Sequence, residues 1–117
     1  MLVSVRNQTR GTELAGRVRI ASSLLDRVVG LLRTPRLEPG TGIWLKPCRS
    51  VHTWFMRYPI DVLFLDSDGR VLHQGTLKPW RFSRWVSRSQ SVLELSAGTL
   101  DLTGTQTGDR LEMKERT

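Results

Sequence analysis

Pro59-Ile60-Asp61-Val62-Leu63-Phe64-Leu65-Asp66-Ser67-Asp68-Gly69-Arg70-Val71-Leu72-His73-Gln74 is the stretch that decides the fold. Residues 60 to 65 are apolar on both alternating faces except for Asp61, the pattern of a strand covered on two sides. Asp66 to Gly69 supplies turn formers, and Gly69 can take a positive φ. The return through Val71 therefore predicts a hairpin with a G1-type bulge.

Upstream, Leu2 to Val5 and Thr12 to Ile20 flank turn residues Asn7 to Gly11, so the chain is expected to open with another hairpin. From Ser22 the period changes. Leu24, Leu25, Val28, Val29, Leu31 and Leu32 recur at helical spacing, predicting one principal α-helix over residues 22–33. Ser22 or Ser23 can cap it, and Thr34-Pro35 stops it. A short strand follows at Ile43 to Leu45, ended by Pro47.

Downstream, residues 78–90 lose periodicity and read as a long exposed loop. Val92 to Leu95, Leu100 to Leu102 and Arg110 to Met113 read as strands between turns. One helix among six to eight short strands predicts an α+β class with a mainly antiparallel, partly closed β-sheet.

Length and composition bound the rest. A chain of 117 residues, 38% hydrophobic and 25% charged, is expected to form a single domain spanning 1–117 with its own core. No apolar run approaches the ~20 residues needed to cross a bilayer as a helix. The first residues carry no secretory pattern, which leads to the expectation of a cytoplasmic protein. A single cysteine forms no internal disulfide. The formal charge of +7 favours anionic partners, although the dominance of arginine, 15 of 18 cations, is better accounted for by coding bias than by phosphate recognition.

Several spaced motifs carry a family resemblance. Arg27-Val28-Val29-Gly30-Leu31 is followed by His52-Thr53-Trp54-Phe55-Met56, Pro59-Ile60-Asp61 and Phe64-Leu65-Asp66. Then come Pro79-Trp80-Arg81, Leu93-Glu94-Leu95-Ser96-Ala97-Gly98 and Gly108-Asp109. In this order they resemble the bacterial and archaeal family called domain of unknown function 192, over about residues 15 to 113. The resemblance implies a compact, mainly β α+β domain and brings no mechanism. The Cys48-x3-His52 pair resembles one branch of that family.

Three constellations bear on function. Cys48 as thiolate, His52 as base and Asp61 as orienting carboxylate would make a base-activated nucleophile. Against this stand a small buried thiol, a histidine satisfied at a turn, and an Asp61 that clasps structure. Arg27, Arg57 or backbone N–H groups near Pro59 would hold that clasp. Metal binding is not expected, because Cys48, His52, His73 and Asp61 lack paired-ligand spacing. No cofactor is expected either; the glycine pairs are turns rather than phosphate loops.

Lys78, Trp80, Arg81, Arg84, Trp85 and Arg88 mix cations and aromatics with no acid between them, a composition suited to stacking bases and holding phosphates. The competing account packs Trp80 and Trp85 on the sheet and leaves the arginines in water. The preferred reading is a non-catalytic binding or accessory module. Its ligand site would comprise His52, Thr53, Met56 and Asp61, and its partner would be a small molecule or an acidic protein. The alternatives are an enzyme using Cys48 and His52, and a nucleic-acid binder using residues 78–88.

Overall fold

The computed structural model describes residues 2–22, 37–54 and 56–116. Seven strands form one sheet: β1 (Leu2–Asn7), β2 (Thr12–Ala21), β3 (Thr41–Leu45), β4 (Ile60–Leu65), β5 (Val71–Leu77), β6 (Ser91–Ser96) and β7 (Leu111–Glu115). A five-residue helix, α1 (Thr99–Thr103), lies between β6 and β7. The sheet order is β5-β4-β6-β3-β2-β1-β7, antiparallel throughout except for the β2–β3 pair.

The expected α+β class with a principal helix is overturned. The described residues are mostly strand, curled into a half-barrel, and their single helix is α1. Apart from Ser22, the helix expected over 22–33 lies outside the described residues. Among the described residues, sheet residues dominate both apolar clusters. Leu100 to Leu102, expected as strand, belongs to α1 instead. Gly98, left-handed at φ 97°, turns the chain there, and α1 ends at a left-handed Gly104.

Alternation along β4 explains the two clusters. Leu63 and Leu65 join Val5, Val18, Leu93, Leu95, Leu100 and Leu111 inside the curl. Ile60, Val62 and Phe64 face the other way and pack with Ile43, Leu45, Met56 and Val92. Because both faces are covered, β4 and β6 are fully buried.

The sheet edges approach at one end. Val71 N–H donates to the Asp109 carbonyl, Gly108 N–H to that of Val71 and Leu111 N–H to that of Gly69, each at 2.8 Å. Gly69 is essential to this seam: its φ is +81°, and a Cβ there would lie 2.5 Å from the Leu111 carbonyl oxygen. The expected hairpin is present, with a register shift between Phe64 and Leu65. Asp66 shapes its turn by accepting from the Asp68 and Arg70 N–H groups at 2.9 and 3.0 Å.

Candidate functional site

Two irregular segments, residues 48–54 and 78–90, are zipped together beside the sheet. Thr53 is the fully buried centre of the join. Its hydroxyl donates to the Lys78 carbonyl at 2.6 Å and accepts from the Arg81 N–H at 2.9 Å. Its backbone N–H donates to the Arg81 carbonyl at 2.8 Å, and its carbonyl accepts from Trp80 at 2.9 Å. Further along, Ser83 N–H donates to Val51, Val86 N–H to Arg49 and the Ser89 hydroxyl to Cys48. With so many backbone groups paired across it, the loop is anchored despite having little regular strand structure.

The surface of this lobe is aromatic and basic. Trp54, Trp80, Phe82 and Trp85 are 42%, 55%, 66% and 65% exposed. Packing of Trp80 and Trp85 against the sheet is therefore not what these residues do. Trp80 takes a left-handed φ of 64°, a conformation that costs an ordinary residue about 1 kcal/mol or more. His52, Trp54 and Phe82 form a ring cluster, with Trp54 and Phe82 centroids 4.9 Å apart and His52 6.2 Å from each.

On the same two segments Arg49, Lys78, Arg81, Arg84 and Arg88 are all exposed. Among the described residues the one ion pair is Arg10 with Asp109, remote from the lobe's cations in sequence. Arg84 also lies near β5. Burial first, and the Arg84 charge second, hold His73 below the ordinary histidine range.

The ligand set expected from sequence is divided by the sheet. Met56 packs with the Ile60, Val62 and Phe64 face. Asp61 is on the opposite face, where one carboxylate oxygen accepts from the Gly98 and Leu100 N–H groups at 3.1 and 2.9 Å. Its other oxygen accepts from the Thr76 hydroxyl at 2.6 Å. Asp61 thus orders the entry to α1, and its backbone donors come from beyond β6 rather than from near Pro59.

His52 and Thr53 belong to the lobe. His52 is exposed, and its Nδ1 accepts from the Trp54 N–H at 3.3 Å. The Cys48 thiol donates to the Ser50 carbonyl at 3.1 Å, while its side chain packs at the margin of the Met56 cluster. Of the nucleic-acid candidates, Lys78, Trp80, Arg81, Arg84, Trp85 and Arg88 all lie on the lobe.

The aromatic residues of the 78–88 run, Phe82 among them, were legible in the sequence; Trp54 as a lobe residue was not, and neither was Glu94. Glu94 is 5% exposed on β6, opposite Val62 and Ile43. Burial pushes its carboxyl up to about 8. Tyr58 is raised as well, first by burial and then by the Glu94 charge. The available signal was an acid between two apolar strand residues, Leu93 and Leu95, the same signal that drew attention to Asp61. Among the described residues no group of three or more His, Cys, Asp or Glu side chains could hold a metal.

Residues 5–113 match a family model, DUF192, described as "Uncharacterized ACR, COG1430". A UPF0127 protein of Pyrococcus furiosus is 37% identical over 112 residues, covering 91% of this chain and 94% of the relative. A solved structure from Sinorhizobium meliloti, described as a "putative transcription regulator", superimposes with a TM-score of 0.79 at 29% identity. It covers 96% of this chain and 92% of its own. A Novosphingobium aromaticivorans protein of unknown function shares the fold, with a TM-score of 0.75 at 20% identity over 96% of this chain and 84% of its own.

Proposed function

This chain belongs to the DUF192 family, and we propose that it is a non-catalytic binding module that holds single-stranded nucleic acid on the aromatic and basic lobe. The observation that carries this reading is the exposure of Trp54, Trp80, Phe82 and Trp85 on two segments that are hydrogen-bonded to each other. Exposing four large rings forgoes burial free energy on the order of 1.5–3 kcal/mol for a side chain of Phe size. Such a patch is a recognition surface.

The accompanying charge selects the partner. Bases stack on exposed rings with about 1–3 kcal/mol each, while neighbouring arginines and lysine neutralise phosphates. Residues 78–90 contain no acid to oppose this. The description of the Sinorhizobium meliloti structure as a putative transcription regulator supports a link to nucleic acid. Base contacts of this kind are tolerant of sequence, so weak sequence preference is expected.

Anisotropy titration of a fluorescent oligothymidylate, at low salt and at about 0.2 M, tests the proposal. Stacking predicts binding that weakens with salt but persists, accompanied by quenching of tryptophan fluorescence. A poly-glutamate competitor separates the two anionic partner classes. Loss of all oligonucleotide binding at the higher salt, with poly-glutamate bound equally well, would replace nucleic acid with an acidic protein.

A further inference from the structure

A cleft lies where the ends of β3, β4 and β6 meet. It has a volume of about 530 Å³ and is lined by Trp44, Lys46, Asp66, Ser67, Gln90 and Ser91 among others. That volume is within the range of small-molecule sites. Pro79 to Ser89, which carry most of the lobe's exposed rings, do not line it.

Two features indicate what it would hold. Trp44 Nε1 is a buried donor with no acceptor among the described residues, an uncommon condition for a buried N–H. Beside it, the Lys46 ammonium lies 4.2 Å from the Trp44 ring centroid, a cation–π contact that holds the charge against the indole. Among the described residues no carboxylate forms an ion pair with Lys46; the single pair is Arg10 with Asp109. The ammonium is thus a cation held at the cleft wall with no carboxylate paired to it among the described residues, and an anionic oxygen is the group it attracts.

Asp66 lines the same cleft and shapes the selectivity. One of its carboxylate oxygens is engaged by the Asp68 and Arg70 N–H groups, which offsets part of its charge. The other oxygen has no hydrogen bond among the described residues. A ligand acceptable to both ends therefore has an acid group at one end and a hydroxyl or amine donor at the other.

We propose that this cleft binds a small organic anion, with carboxylate or phosphate oxygens at the Lys46 ammonium beside the Trp44 indole and a donor group turned toward Asp66. The hydroxyls of Ser67 and Ser91 and the Gln90 amide supply further neutral partners around it. This site is independent of nucleic-acid binding by the lobe.

The test follows the four tryptophan indole N–H signals of the full chain by NMR, with Trp44 assigned through Trp44→Phe. Lactate, glycerol 3-phosphate and inorganic phosphate are the probes. The expected result is a saturable shift of the Trp44 signal, with a dissociation constant of about 1 mM or tighter for an organic anion. The Trp54, Trp80 and Trp85 signals should stay in place. Lys46→Met, checked for an unchanged melting temperature, should weaken binding roughly tenfold or more. Lactate against glycerol 3-phosphate distinguishes carboxylate from phosphate, and inorganic phosphate tests the need for the second donor. A linear shift without saturation, an unchanged Trp44 signal, or full affinity in folded Lys46→Met would overturn the proposal.

Discussion

Replacing Glu94 with glutamine should make this protein more stable at alkaline pH and remove most of one pH dependence. Glu94 is buried on β6 between apolar neighbours on β3 and β4, and its carboxyl is raised from 4.5 to about 8 by desolvation. The folded state therefore binds this proton more tightly than the unfolded chain. The stabilisation is fully present below about pH 4.5, declines as pH rises, and is gone above the folded value near 8.

Each tenfold difference in proton affinity corresponds to about 1.4 kcal/mol, so the group should lose ~4 kcal/mol between about pH 5 and about pH 8.5. Glutamine preserves shape and cannot ionise. Urea unfolding of both proteins at the two pH values should show the wild type losing on the order of 4 kcal/mol more than Glu94→Gln. At the higher pH, Glu94→Gln should be the more stable protein. Parallel losses, or a glutamine variant less stable than wild type at the higher pH, would refute the reasoning, because Glu94 would then be held as an anion by a partner.

Other substitutions probe the elements that position the lobe and the curl. Asp61→Ala should lower stability by about 3 kcal/mol, since it leaves the Gly98 and Leu100 N–H groups without their acceptor; Asp61→Asn should lose less, as read by urea unfolding. Thr53→Val keeps the shape but deletes the hydroxyl bonds to Lys78 and Arg81, so it should cost about 2 kcal/mol and speed hydrogen exchange at Trp80 and Arg81. Gly69→Ala should cost about 2 kcal/mol or more, with exchange rising first at Val71 and Leu111 along the β5–β7 seam.

The parts of this architecture legible in the sequence are those governed by neighbours in the chain. The apolar run of residues 60–65, broken only by Asp61, marked a strand buried on both faces, and Asp66 to Gly69 marked its turn, because hydrophobic pattern and turn chemistry are local properties. The short strand at Ile43 to Leu45 and the irregular run at 78–90 were legible for the same reason. Leu100 to Leu102 was not: its helical turn depends on a left-handed Gly98 and on Asp61, whose carboxylate arrives from β4.

The candidate site follows the same division. Composition singled out Lys78 to Arg88 as basic and aromatic, but whether Trp80 and Trp85 face sheet or solvent is set by the zipper to residues 48–54. No periodicity encodes that pairing. Likewise, a burdened acid could be recognised at Asp61, yet the sheet face it occupies, opposite that of Met56, emerges only once β4 is paired on both sides.

The central claim is that the lobe's exposed rings stack on bases. Its most direct test is oligothymidylate affinity in the double variant Phe82→Ala/Trp85→Ala, two side chains so exposed that their loss should leave stability within about 0.5 kcal/mol. Stacking predicts a loss of affinity of roughly tenfold or more, with an unchanged slope of affinity against salt, because the phosphate-neutralising cations remain. Wild-type affinity in the folded double variant would contradict the account.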